Sequence, residues 1–267
     1  MTRVVEPVPG PPSPAPGIAP SPRGRLVART VPVTSLDRAT TAAAYRLFAS
    51  LYEGTDRARF ERDLSEKQLI VLLHDRNDRT LQGFSTIHVG DVVHRGRPAT
   101  LVYSGDTAIH PAYWGQKRLQ REFSRVLLRQ KLRHPTRPLL WFLISKGYKT
   151  YLLLTHHFPT SIPRYDRPLD SEMQATLDDV ALRRFGTAYN PGRGIVTHPT
   201  PRERVRRDVA PLGGPLLNDP HVSFFAARNP GHANGDELAC LAEIHLVDPV
   251  RIIARSWRHT LARRQRG

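Results

Sequence analysis

The sequence has 267 residues, is 39% apolar and carries a formal charge of +16. It is long enough for one large domain or two small ones, and no apolar run approaches the ~18–20 residues of a membrane helix. Its single cysteine, Cys240, excludes an intramolecular disulfide, and without an apolar signal segment at the N-terminus the expected compartment is the reducing cytoplasm.

Residues 1–24 are proline-rich and nearly free of large apolar groups, the composition of a disordered or polyproline-like tail. Leu26–Val33 alternates as a strand does. A helix follows over Leu36–Tyr52, capped by Thr34 or Ser35 with Asp37 near its positive end and apolar residues at Tyr45, Phe48, Leu51 and Tyr52. A short helix is expected over Asp56–Glu66. The apolar run Lys67–His74 predicts a buried strand that forms a hairpin with Thr80–Val89. Gly90–Pro98 reads as a turn and Ala99–Ile109 as a third strand.

Helical spacing extends over Ala112–Arg133, with Leu119, Phe123, Val126, Leu127 and Leu132 on one side, until Pro135 and Pro138 end it. Leu139–Ser145 (LLWFLIS) reads as a central strand, Gly147–His157 as a helix and Leu169–Phe185 as another. Residues 187–219, rich in Pro, Gly and Arg, are expected to wrap the surface. His221–Ala227 reads as a strand, Glu237–Val247 as strand or helix, and Asp248 as the cap of a basic helix running to about Arg264. The order predicts a mixed α/β fold with an antiparallel start and a parallel crossover.

One stretch resembles a family. The segment LVYSGDTAIHPAYWGQKRLQREFSRVLL, and within it I-H-P-A-Y-W-G-Q at 109–116, is similar to the strand, turn and long helix of the GNAT acyltransferases. In that family the turn, written R/Q-x-x-G-x-G/A, holds the pyrophosphate of an acyl carrier on its backbone N–H groups. Gly115 and Gln116 fall on matching positions. Trp114 stands where Arg or Gln is usual, and Lys117 and Leu119 stand where small residues are usual.

The resemblance covers roughly residues 26–165. It implies a GNAT-like mixed sheet flanked by helices over 25–165, with residues 166–267 as a C-terminal α/β extension packed on that core. It also implies a donor that is an acyl-CoA or acyl-carrier-protein thioester, bound by Ile109, Gly115, Gln116, Lys117 and Arg118. A second matching piece, FLISKGYKTYLLLTHHFP at 142–159, implies a strand splayed from its neighbour, with the carrier arm in the gap. A tyrosine at the start of the next helix, Tyr148 or Tyr151, would protonate the leaving thiolate.

The chemistry of acyl transfer to an amine then points to further residues. Strict alternation puts Tyr103, Gly105, Thr107 and Ile109 on one side of their strand, and Val102, Ser104, Asp106 and Ala108 on the other. Gly105 hints at a bulge. Asp106, acidic in an apolar strand, suits a base or a clamp for a small amine or amino-acid-like acceptor, and Ser104 is a weaker candidate beside it. Arg164 and Tyr165 are candidates to hold an acceptor carboxylate.

No metal is expected. His156 and His157 are adjacent on a helix and point about 100° apart, and a lone Cys240 is read as a small buried apolar residue. The +16 charge keeps a nucleic-acid-binding module as a rival reading. Only five of the 40 basic residues are lysine, however, the arginine skew of a GC-rich genome, and the basic residues are spread along the chain rather than gathered on an aromatic face. The missing small residues at Lys117 and Leu119 leave a third reading, a GNAT-like fold that does not catalyse.

Overall fold

The computed structural model describes residues 24–197, 204–205 and 214–250. The expected tail and all but the first residues of the expected C-terminal helix lie outside the described residues.

In chain order, β1 (Leu26–Pro32) leads through a 3-10 turn into α1 (Arg38–Leu51), β2 (Tyr52–Glu53), α2 (Arg57–Ser65), β3 (Leu69–Asp75), β4 (Leu81–His94) and β5 (Arg97–Ile109). Then come α3 (Arg118–Arg133), β6 (Leu139–Ser145), α4 (Tyr148–His157), α5 (Ser171–Phe185), β7 (Tyr189–Asn190), β8 (Ile195–Val196), β9 (Arg204–Val205), α6 (Pro220–Arg228) and β10 (Glu237–Glu243). Eight strands form one sheet in the order β1-β3-β4-β5-β6-β10-β8-β7, and β2 pairs with β9. The pairs β1–β3, β3–β4 and β4–β5 are antiparallel, β5–β6 is parallel, and β10 runs antiparallel to β6.

Both faces of this sheet are covered. On one face Val71, Ile87, Val102, Trp141 and Leu143 pack under α3, α4 and α6 through Phe123, Leu127, Tyr151 and Phe225. On the other, Ile70, Leu72, Phe84 and Ala108 meet α1 and α2, where Phe48, Phe60 and Phe84 lie with ring centroids 5.5–6.5 Å apart. Farther along the same face, Leu101, Tyr103, Leu140 and Phe142 meet α5 through Met173 and Leu177. Buried on both sides, β3 and β6 are continuous apolar runs, as central strands must be.

Several expectations are corrected. The cap of α1 is Asp37, whose carboxylate accepts from Thr40 N at 2.7 Å; Thr34 and Ser35 lie in the preceding 3-10 turn. The turn expected over Gly90–Pro98 shrinks to two residues. β4 runs on to His94, and Arg95 and Gly96, both at positive φ, make the tight reversal that matches strand twist. The long helix starts at Arg118 rather than Ala112, because Gly115 and Lys117 at positive φ interrupt it. Leu132, expected on its apolar side, is exposed.

Residues 187–219 do not only wrap the surface, for Ile195 and Val196 are buried sheet residues. His221–Ala227 is helical, not extended. Asp219 caps it by accepting from His221 N and Val222 N, Pro220 fits its first turn, and Val222 and Phe225 bury at a spacing of three.

Candidate active site

The geometry of interest begins with β5. Opposite β4, Ser85 pairs with Thr107 and Ile87 with Ser104, so the single Thr86 faces both Gly105 and Asp106. That is a β-bulge. It also reverses the expected alternation: Val102 and Ile109 share the face under α3, while Tyr103 and Ala108 share the opposite one. Glycine is required at the bulge because a Cβ at 105 would lie 2.6 Å from Thr86 Oγ1 and 3.0 Å from Lys67 Cε.

On its other edge β5 pairs with β6 only from Thr100–Leu139 to Ser104–Leu143, although β5 continues to Ile109 and β6 to Ser145. A wedge therefore opens between the two strands immediately past Ser104. Ser104 is the last rung, and its hydroxyl accepts from Trp141 Nε1 at 3.0 Å.

The turn from β5 to α3 overhangs one side of this wedge. Trp114 Nε1 donates to Ile109 O at 2.8 Å, and Lys149 at the start of α4 places its ammonium 4.3 Å from the Trp114 ring centre. Gly115 has open space around it at φ +81°. Lys117, at φ +55°, caps α3 without a side-chain hydrogen bond, so its side chain leaves the first-turn N–H groups uncapped. Gln116, expected to bind phosphate, uses its side chain elsewhere: Oε1 accepts from Leu26 N at 3.0 Å and Nε2 donates to Gly24 O at 2.8 Å, stapling the start of β1.

The two candidate tyrosines differ. Tyr151 is fully buried, donates to Pro163 O at 3.0 Å and is ringed by His221, Phe224 and Phe225. Tyr148 is buried at the wedge end of α4, with no such carbonyl partner among the described residues, and burial raises its phenol above the usual tyrosine range.

On the opposite face of the wedge end, ionisable groups from distant parts of the chain converge. Tyr103 is buried, with the Arg184 guanidinium 4.1 Å and the Lys67 ammonium 5.8 Å from its ring centre. Burial, followed by repulsion from Arg184, pulls the Lys67 ammonium below the usual lysine range, and the neighbouring Asp106 opposes that shift. Lys67 also donates to Asp63 O at 2.6 Å. Lys146 pairs with the buried Glu237 at 3.6 Å and lies 5.8 Å from the Tyr52 ring centre, while the Tyr52 hydroxyl donates to Thr107 O at 3.0 Å. Asp106 and Glu237 both bear electrostatically on Tyr103. This chamber was missed in the sequence except for Asp106.

Arg164 and Tyr165 lie elsewhere. Arg164 binds both Asp166 oxygens at 2.7 Å and also donates to Thr155 O and Ser161 Oγ. Tyr165 packs on His221, ring centres 4.7 Å apart. They follow Thr160, which bonds Glu243 O, and Ile162, which bridges to Leu241, and both bear electrostatically on Tyr151 of α4.

Cys240 is buried in the core and burial raises its thiol pKa. Among the described residues no group of three or more His, Cys, Asp or Glu is placed to hold a metal ion, and no helix is long and apolar enough to cross a membrane.

An antiparallel meander, a basic helix, a parallel strand and a wedge between β5 and β6 make an open mixed α/β sheet flanked by helices, the fold class expected. No protein-family model and no curated protein matches the sequence. Similar solved structures include a "Probable N-Acyltransferase" of Enterococcus faecalis, at 20% identity and TM-score 0.37, over 48% of this chain and 32% of that one. A GNAT family N-acetyltransferase of Escherichia coli in complex with CoA matches at 18% identity and TM-score 0.34, over 51% of this chain and 74% of that one. An acyl-CoA N-acyltransferase of Pseudomonas aeruginosa matches at 15% identity and TM-score 0.37, over 50% and 88%. The chain thus spans about a third of the Enterococcus protein.

Proposed function

We propose that the protein is an N-acyltransferase that moves an acyl group from a thioester, acyl-CoA or an acyl-carrier protein, to the amine of a small, amino-acid-like acceptor. The observation that carries this reading is the wedge past Ser104–Leu143, where two neighbouring strands cease to pair. An amide-bearing pantetheine arm is the kind of ligand that can occupy strand edges of this sort.

The donor's phosphates rest against Gly115, Lys117 and Arg118, where the uncapped first turn of α3 favours anions. Gln116 supports this turn indirectly, through β1. The acceptor enters from the opposite face, its carboxylate held by Lys67 and Arg184 and its amine beside Asp106. Nitrogen attacks the thioester carbon, the C–N bond forms and the C–S bond breaks. The amine proton passes to the Asp106 carboxylate, and the thiolate takes its proton from the Tyr148 hydroxyl. Burial above the usual tyrosine range keeps that hydroxyl protonated until the thiolate forms.

The test is steady-state thiol release with an acyl-CoA and a panel of amino-acid acceptors. Asp106→Asn lowers kcat while donor affinity is retained. Turnover equal to wild type in that variant removes Asp106 from the base role.

A further inference from the structure

The β1 flank of α3 carries a second basic feature, which shares Arg118 with the donor turn. Arg118, Arg121 and Arg125, at spacings of three and four, form one stripe. With Arg25, Leu26, Val27 and Ala28 of the β1 segment and Arg76 of the β3–β4 turn, they line a cavity of about 290 Å³. The scaffold around it is fixed: Arg76 N donates to Arg25 O at 2.8 Å, and Gln116 staples the start of β1.

Five arginines therefore line one cavity whose lining, among the described residues, contains no acidic residue. Next to it, Glu122 pairs with Arg125 at 2.8 Å and accepts from Thr30 Oγ1 at 2.9 Å. Asp75, the residue before Arg76, is engaged by the Tyr113 hydroxyl and by Asn77 N, both at 2.7 Å. Arg121 is 9% exposed. Burial lowers the proton affinity of Arg118 and Arg121, and repulsion from neighbouring arginines adds to it. A polyanion in the cavity would offset both costs. Guanidinium forks match phosphate oxygens in pairs, which an ammonium does not do.

We infer that the cavity between β1 and α3 binds a phosphate-bearing ligand, a phosphomonoester or diphosphate. This inference does not depend on the reaction proposed for the wedge. The phosphate has two possible sources: the donor itself, through the 3′-phosphate of CoA, or a separate phosphorylated small molecule.

The experiment is calorimetric titration of the full chain with inorganic pyrophosphate, CoA and dephospho-CoA at low salt, comparing wild type with an R25Q/R76Q double variant. Both side chains are exposed at the cavity rim, so the variant is expected to fold, and circular dichroism checks that it does. Wild type binds pyrophosphate saturably, and the double variant binds roughly 10-fold or more weakly, the effect of removing about one charge-assisted hydrogen bond. If CoA binds more tightly than dephospho-CoA and the double variant abolishes the difference, the ligand is the donor's own phosphate. If saturating CoA leaves pyrophosphate binding intact, the ligand is separate. No saturable binding by wild type, or equal affinity in the folded double variant, overturns the inference. Acyl transfer measured on the same samples separates the two readings: wild type that binds pyrophosphate saturably but forms no N-acyl product leaves the cavity standing and removes the proposed reaction, and product without saturable pyrophosphate binding does the reverse.

Discussion

The two ends of β5 obey the same strand geometry and do opposite things. At its start, Ala99, Leu101 and Tyr103 pack toward α5, Val102 packs under α3, and the strand is bonded on both edges through Ser104. At its finish, one extra residue at Gly105–Asp106 re-aims the side chains, pairing with β6 stops, and Lys67, Asp106, Lys146, Arg184 and Glu237 gather instead of apolar groups. Ionisable groups are costly to bury unless paired or used. The first end is apolar packing, and the second is where the proposed reaction would take place.

The largest expected effect lies at the second end. Asp106→Asn lowers kcat roughly 100-fold or more, the range of a lost general base, with little change in donor affinity; stopped-flow thiol release and calorimetric donor binding measure the two separately. Tyr148→Phe is smaller, roughly 10- to 100-fold in kcat. It is sharpened by pH. The buried hydroxyl keeps its proton above the ordinary tyrosine value of 10.0, so wild-type kcat falls only at a pH beyond that value, and the alkaline limb disappears in the variant.

Gly105→Ala tests the join between the two ends. A Cβ 2.6 Å from Thr86 Oγ1 forces the bulge to shift, costing on the order of 1–3 kcal/mol in denaturant unfolding and lowering turnover as well. By contrast, Tyr151→Phe removes one buried hydrogen bond to Pro163 O, about 1 kcal/mol of stability, and leaves kcat nearly unchanged.

The smallest effect belongs to the apolar end. His94 is buried with Nδ1 2.8 Å from Thr176 Oγ1, and burial lowers its pKa below 6.5. Between that lowered value and 6.5 the unfolded chain binds more protons than the folded one. Stability is therefore complete above pH 6.5 and declines as pH falls below it. Melting curves from pH 7.5 to 5.5 show this decline, and His94→Gln makes it shallower without removing it, because burial also lowers His74, His88, His110 and His221.

Much of this was legible in the sequence. LIVLLH and LLWFLIS could only be buried strands, the meander and crossover followed from their order, and Gly105 marked the bulge. His221–Ala227 misled because its valine and phenylalanines suit a strand, yet Asp219 and Pro220 supply a helix start and Val222 and Phe225 keep helical spacing. The tied side chain of Gln116 was invisible because its partners lie 90 residues or more away in sequence. The chamber was hidden for the same reason: Lys67, Lys146, Arg184 and Glu237 meet only once β3, β6, α5 and β10 are assembled. One signal was available. In a chain where arginine supplies nearly all the basic groups, two of the five lysines flank the two most apolar strands, and both stand in the chamber.

The central claim is that the wedge end of β5 is an acyl-transfer site with Asp106 at its reacting centre. Incubating the full chain with a radiolabelled acyl-CoA and mixed amino acids, then resolving N-acyl products by mass spectrometry, tests it most directly. The account predicts amine-dependent N-acyl product from wild type, and at least 100-fold less from a folded Asp106→Asn variant that still binds CoA. Equal product from the two proteins would contradict it, as would a wild type that binds CoA yet forms no N-acyl product with any amine.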